Sequence, residues 1–381
     1  MNIKSLTSLR GVASLIVVAT HILAVFDLPR LLQANGAAAG SVSRIMAAFL
    51  ERTFNGSAAV EIFFVLSGCV LAMSLKEGAA SKPAWIKVFY IKRIVRIYPA
   101  LWLSIGLTVC LWPLIRMGFK ASVLSDWASS AFPENLTFRL VGMSLTGMYV
   151  HLNWPIWTLR IELFYSTLFP ALFLMIRNQK ARLPLIALLA IVAVAPLPRN
   201  WSLHYALAFG IGAAIPYTNG IRDFYYRLCA LALSPVLMYL RSGLAGTGLS
   251  DKNIETVEML VASAIIYCLF HNRRQLPILD GRLFYFLGKI SYSVYILHFP
   301  IVFAVAGGIV NVLGQNQVQR APLLITLLLG VLTLLFTLSA ATLSYRLIEH
   351  RGIRFGKLLA ALASQRTAAA VPPVLPVARD P

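Results

Sequence analysis

Apolar runs long enough to cross a lipid bilayer recur along the whole chain, and they constrain its fold more than any other feature. A spanning helix needs about 20 mostly apolar residues, because the hydrocarbon layer is about 30 Å thick and a helix rises about 1.5 Å per residue. Ten segments fit, at 9–28, 58–76, 97–115, 155–176, 183–198, 203–218, 224–241, 256–271, 290–312 and 322–346. Within hydrocarbon each backbone N–H and C=O must be paired inside its own segment, so runs of this length read as helices. Composition agrees. With 59% hydrophobic and 13% charged residues, the chain has too little polar surface to enclose its apolar side chains in water. The expected fold class is all-α: a polytopic membrane helix bundle of ten spans. Residues 1–357 form a single membrane domain. The tail at 358–381 is rich in Ala, Val and Pro and is expected to hold little fixed structure.

Basic residues set the expected orientation, since cytoplasmic loops accumulate Lys and Arg. With the N-terminus inside, the inside segments carry 23 of the 34 Lys and Arg residues and the outside segments 10, which favours both termini in the cytoplasm. The same distribution explains the net charge of +20 without nucleic acid, because the bases flank apolar runs. Lys4 and Arg10 ahead of an apolar stretch imitate a signal peptide. However, Arg10 and His21, within or beside that stretch, favour a retained first helix. Cys69, Cys110, Cys229 and Cys268 lie in or beside apolar runs with no CxxC pair, so neither a disulfide framework nor a metal site is expected.

Polar side chains inside apolar spans call for another explanation, since an ionised group at mid-membrane costs about 2.5–3.5 kcal/mol on insertion scales. Arg10 and His21 lie on one face of the first helix, about 16 Å apart along its axis. Glu61 sits near the outer end of the second, where a snorkelling acid is the plain alternative. Arg93 and Arg96, three apart, share a helix face before a break expected at Pro99. Positive-inside topology explains such a pair, and so does a phosphate clamp built on the forked guanidinium. Arg160 and Glu162 lie inside the fourth span and face apart, so their partners belong to other helices. Ser291, Tyr292, Tyr295 and His298 are polar positions of the ninth, with Tyr295 and His298 on one face. Two histidines and an acid in one bundle point to acid–base chemistry. The longest loop, 116–154, falls outside and holds Asp126, Trp127, Glu134, His151 and Trp154.

Taken together, these segments resemble the membrane acyltransferase family 3, bacterial enzymes that O-acylate lipopolysaccharides, exopolysaccharides and related glycans. Arg10 and His21 match its Arg-x10-His, and FFVLSG at Phe63 to Gly68 its second-helix signature. Arg93, Arg96, Ile97 and Pro99 match RxxRIxP. Trp157, Leu159 and Glu162 match WSLxxE. Gly288, Ser291, Tyr292, Tyr295 and His298 match GxxSYxxYxxH, and Tyr345, Ile348 and Glu349 the closing YRxIExP. Thr158 stands where Ser is usual, and the final Pro of the closing motif is replaced. The pair Phe164 and Tyr165 comes one residue early, so Tyr165 does not inherit the usual role. The family's optional esterase-like domain is not expected here.

The resemblance implies an integral membrane O-acyltransferase. Acyl-CoA, acetyl-CoA first, is the donor substrate rather than a resident cofactor, and the acceptor is a hydroxyl of an extracytoplasmic glycan or glycolipid. It also implies a multi-pass protein of the bacterial inner membrane. His21, Arg10 and Glu162 are the expected catalytic group, with His21 as base. Tyr295, His298, Ser291 and Glu61 are of second rank, and Arg93 and Arg96 are expected to bind the CoA phosphates. His21 and Ser291 are conceivable acyl carriers. Glu162 is expected to pair with a cation or to set a histidine tautomer. A transferase using succinyl or another acyl group, a secondary transporter and a membrane scaffold are the rival readings.

Overall fold

The computed structural model describes residues 3–369 apart from 39, 77–84, 119–120, 199–201, 221–222 and 273–275. It is helical throughout, as expected. In chain order the helices are α1 (Ile3–Val25), α2 (Leu28–Ala34), α3 (Val42–Thr53), α4 (Gly56–Lys76), α5 (Trp85–Gly118), α6 (Asp126–Ser129), α7 (Phe138–Leu145), α8 (Ile156–Arg177), α9 (Gln179–Val194), α10 (Ala206–Ala214), α11 (Asp223–Leu244), α12 (Asp251–His271), α13 (Arg282–Leu313), α14 (Gln315–Arg320), α15 (Pro322–Ser344) and α16 (His350–Ala369). A π-helical turn, Tyr345–Glu349, joins α15 to α16. We call the end of the bundle at which α1 begins the base, and the opposite end the crown.

Each of the ten expected spans falls on helix, and seven helices among the described residues are long and apolar enough to cross a bilayer. The other three expected spans differ for distinct reasons. Helix α9 has 16 residues, 203–217 is a short helix flanked by two single 3-10 turns, and α11 is long but amphipathic. Two further expectations are corrected. Helix α5 does not stop at Pro99 but runs through it and Pro113 to Gly118. Proline leaves the carbonyl one turn back without its partner, a defect a bundle tolerates when a neighbour packs there. Gly352 of α16 lies against that carbonyl, on Val95. The tail also begins later than expected, because α16 continues through Ala369. Leu, Ala and Lys at 357–362 are strong helix formers, and Ala360 is buried. Residues 370–381 lie outside the described residues.

Helix α13 is the axis of the bundle, packing on α1, α5 and α15, while α4 packs on α10, α12 and α1. Its side chains are buried almost without interruption from Leu287 to Val310, so it has no lipid-facing stripe. Small residues set the closest crossings. A Cβ at Gly288 would overlap the backbone of Thr7 on α1, and one at Gly212 the backbone of Val65 on α4. Lipid is as apolar as leucine, so helices associate in it through close backbone packing, and glycine allows the closest approach. The π turn adds one residue per turn and rotates Glu349 inward. There it is buried and accepts a hydrogen bond from Ser293, whose hydroxyl also lies 2.7 Å from that of Ser344.

Two glycine substitutions should have opposite signs. Gly288→Ala should lower the thermal midpoint in detergent, costing about 1–3 kcal/mol through overpacking. Gly106→Ala, with no atom within 4 Å of its added Cβ, should be neutral or stabilising. Thermal unfolding of the purified variants checks both, and equal midpoints would remove the α1–α13 crossing as a determinant of the fold.

Candidate active site

Helix α1 carries the crown end of the site, and α13 runs beside it. Gly11 lies against Gly288 where the two helices touch, and ten residues beyond each glycine stand His21 and His298. Their rings meet, with His21 Nδ1 2.7 Å from His298 Nε2. The other nitrogen of His298, Nδ1, lies 3.1 Å from the carbonyl oxygen of Val294 one turn back. That carbonyl can only accept, so it fixes the proton on His298 Nδ1 and leaves Nε2 as an acceptor. His21 must then donate from Nδ1, and the lone pair of its Nε2 remains available. A backbone carbonyl thus sets the tautomer of both rings through one relay. Of the two roles expected of Glu162, pairing with a cation or setting a histidine tautomer, the structure shows the first, with Arg93.

The surroundings hold His21 in place. Trp127 of α6 stacks on it with ring centres 5.4 Å apart, and Phe299 meets it edge-on at 5.5 Å. Trp127 itself comes from the long crown loop, whose chain is tied to α1 where Ser125 donates to the Ala24 carbonyl.

Towards the base, a second group surrounds Glu162 of α8. Arg93 of α5 reaches Glu162 Oε1 at 2.6 Å and Ser166 Oγ at 2.8 Å, and Ser67 of α4 donates to the same carboxylate at 3.5 Å. Charge assistance accounts for the short distance. Arg10 and Arg96 line the same cavity, with Tyr292, Tyr295 and Ser291. Glu162, Glu349 and the neighbouring arginines are the charges within electrostatic reach of Arg10. Three guanidinium groups against two carboxylates leave this chamber net basic. Arg93 is bound to Glu162, so Arg10 and Arg96 hold the chamber's excess positive charge. The Ser291 hydroxyl donates to the Gly288 carbonyl at 2.8 Å, and Tyr292 donates to the Ile97 carbonyl at 2.9 Å.

Tyr295 borders both this basic chamber and the wider cavity at the crown that contains His21. Thr158 donates to the Pro155 carbonyl at 2.9 Å, so Tyr295 donates its own proton to Thr158 at 2.8 Å. The threonine that departs from the usual serine therefore keeps the hydroxyl the site uses. Glu61 lines the crown cavity. Arg160 is half-buried and does not line either chamber.

Of the residues singled out in the sequence, Arg10, Arg93, Arg96, Glu162, Ser291 and Tyr295 line the basic chamber, and His21, Glu61 and Tyr295 the crown cavity. Arg93, expected with Arg96 to bind the CoA phosphates, is itself bound to Glu162. Sequence reasoning missed a third group at the crown. Glu258 accepts from Asn55 at 2.7 Å, Ser57 at 2.8 Å and Arg241 at 3.1 Å, and Glu255 meets His204 at 3.2 Å. The signal was two acids three residues apart inside an apolar span, Glu255 and Glu258. Among the described residues no cluster of three or more His, Cys, Asp or Glu side chains could hold a metal ion.

The Arg93–Glu162 pair yields a stability prediction. Arg93→Met leaves a largely buried carboxylate without its ion partner and should destabilise the protein by about 3–5 kcal/mol, whereas Arg93→Met with Glu162→Met should recover most of that loss. A thermal-shift double-mutant cycle checks this, and additive losses would show that the pair is not coupled.

No curated protein and no solved structure matches this chain. A family model described as an acyltransferase domain matches residues 3–342, nearly the whole of the helical bundle that holds both chambers. The chain is therefore an acyltransferase enzyme and belongs to the membrane acyltransferase family 3.

Proposed function

We propose that this enzyme moves an acyl group, acetyl first, from cytoplasmic acyl-CoA to a hydroxyl of a glycan outside the bacterial inner membrane. One observation carries the reading: His21, held by His298, lines a cavity that shares Tyr295 with a chamber of surplus guanidinium charge. The excess of Lys and Arg on one set of loops supports an orientation with the base in the cytoplasm and the crown outside. Acyl-CoA is anionic, and its phosphates suit the positive charge of Arg10 and Arg96. Arg93 acts through Glu162, as a buried brace that keeps the chamber open between α5 and α8.

The chemistry follows from the tautomers. His21 Nε2 takes the proton of the glycan hydroxyl as its oxygen attacks the thioester carbonyl. The new C–O bond forms beside His21 and a tetrahedral oxyanion develops there, where the positive field of the basic chamber beyond Tyr295 favours it. Collapse breaks the C–S bond, and the imidazolium returns its proton to the departing CoA sulfur. His298 does not touch the substrate in this scheme. It orients His21 and disperses the positive charge that His21 acquires, the part a carboxylate plays in a hydrolase triad.

His21→Ala should abolish acyl transfer while the protein still inserts and folds. His298→Phe should lower kcat by a hundredfold or more with little change in KM, and His298→Gln, which keeps an acceptor for the His21 N–H, should restore part of that loss. Mass spectrometry of the surface glycan from strains lacking the gene, or carrying each variant, measures the ester. A His21→Ala strain with full acylation would remove His21 as the base. Accumulation of unmodified substrate in vesicles, without any ester, would replace the enzyme reading by transport.

A further inference from the structure

Above His21 the wall of the crown cavity holds a carboxyl group that the reaction scheme does not use. Glu61 lies on α4 and is 1% exposed, and its Oε2 atom is buried with no hydrogen-bond partner. A buried polar atom left unpaired costs about 1–3 kcal/mol, so a native structure rarely retains one without a reason. Nearby donors are already engaged. Asn55, Ser57 and Arg241 all serve Glu258, and His204 serves Glu255. Glu61 is therefore an acceptor at the edge of a cavity in which Asn55, Ser57 and Arg241 are committed to Glu258. The same cavity presents the rings of Trp157, Tyr205 and Tyr295. Flat apolar rings beside a hydrogen-bonding carboxylate suit a sugar, which offers C–H faces and hydroxyl edges together.

We infer that the crown cavity is the acceptor subsite, and that it recognises a second hydroxyl of the sugar, close to the one His21 deprotonates, through a hydrogen bond donated to Glu61. This rests on the transferase reading above. Three acids, Glu61, Glu255 and Glu258, share this region with the guanidinium of Arg241. The subsite therefore favours a donor group and disfavours a carboxylate or phosphate at that position of the sugar. Glu61 is a specificity residue here, which touches the acceptor and not the reacting carbonyl.

The test uses the full-length protein in lipid nanodiscs, acetyl-CoA as donor and, as acceptor, unacylated surface polysaccharide from a strain lacking the gene. KM is measured separately for each substrate in the wild type, Glu61→Gln and Glu61→Ala, with thermal midpoints as a folding control. The expected result is an acceptor KM raised about tenfold or more in Glu61→Ala, with a smaller rise in Glu61→Gln, while the donor KM stays within about twofold. An unchanged acceptor KM in a folded Glu61→Ala protein would overturn the inference and leave the transferase reading standing. So would equal rises in both KM values, which mark a structural role. No transfer by the wild type would instead overturn the transferase reading, and the inference with it.

Discussion

A guanidinium from α5 and a carboxylate from α8 meet at 2.6 Å in the middle of an apolar bundle, and the basic chamber is arranged around that contact. Neither group is stable there alone. Moving one charge from water into such an interior costs several kcal/mol, and the mutual attraction offsets that cost only with good geometry and further hydrogen bonds. Ser166 and Ser67 supply those bonds. Because Arg93 is neutralised by its partner, Arg10 and Arg96 can keep the chamber positive without piling three unpaired cations into one space. The pair also pins α5 to α8, and α8 carries Thr158, which fixes Tyr295 between the chambers.

The fold and the site are legible in the sequence to different depths. Length and apolarity decide the helices, because lipid leaves the backbone no other way to satisfy itself. The faces of those helices are readable too. Arg10 and His21 share one side of α1 and line successive chambers, and Tyr295 and His298 share one side of α13. Contacts between helices are not readable in this way. Nothing local says that Glu162 meets Arg93, 69 residues away, or that a main-chain carbonyl sets the histidine tautomers. Periodicity fails at one further place. The π turn at Tyr345–Glu349 breaks the 3.6-residue pattern and turns Glu349 towards Ser293. The break expected at Pro99 does not form, because a proline that breaks a helix in water is accommodated here by Gly352, which packs on the carbonyl that the proline frees.

Polar groups follow a consistent logic across the bundle. Most are bound to one another in pairs, as in Glu258 with Asn55, Ser57 and Arg241. Such groups lock helices together and add little that is free to act on a substrate. Of the described side chains with an unpaired buried polar atom, Glu61 is the one that lines the crown cavity, beside His21 with its available lone pair. Function in a membrane bundle can therefore be sought where internal pairing is left incomplete, since each incomplete group has a cost the fold must bear.

The α1–α13 contact has a further consequence, for what insertions and deletions these two helices can accept. Gly11 meets Gly288, and His21 meets His298, with the same interval of residues on each helix. The backbone contact and the imidazole contact thus form a two-point gauge between helices that start at the same end of the bundle. Adding or removing one residue within either interval would turn its histidine by about 100° around the helix axis and shift it by about 1.5 Å. No side-chain rotation corrects such an error while the glycines stay in contact. In natural variation among related chains, these two intervals should change in composition and never independently in length.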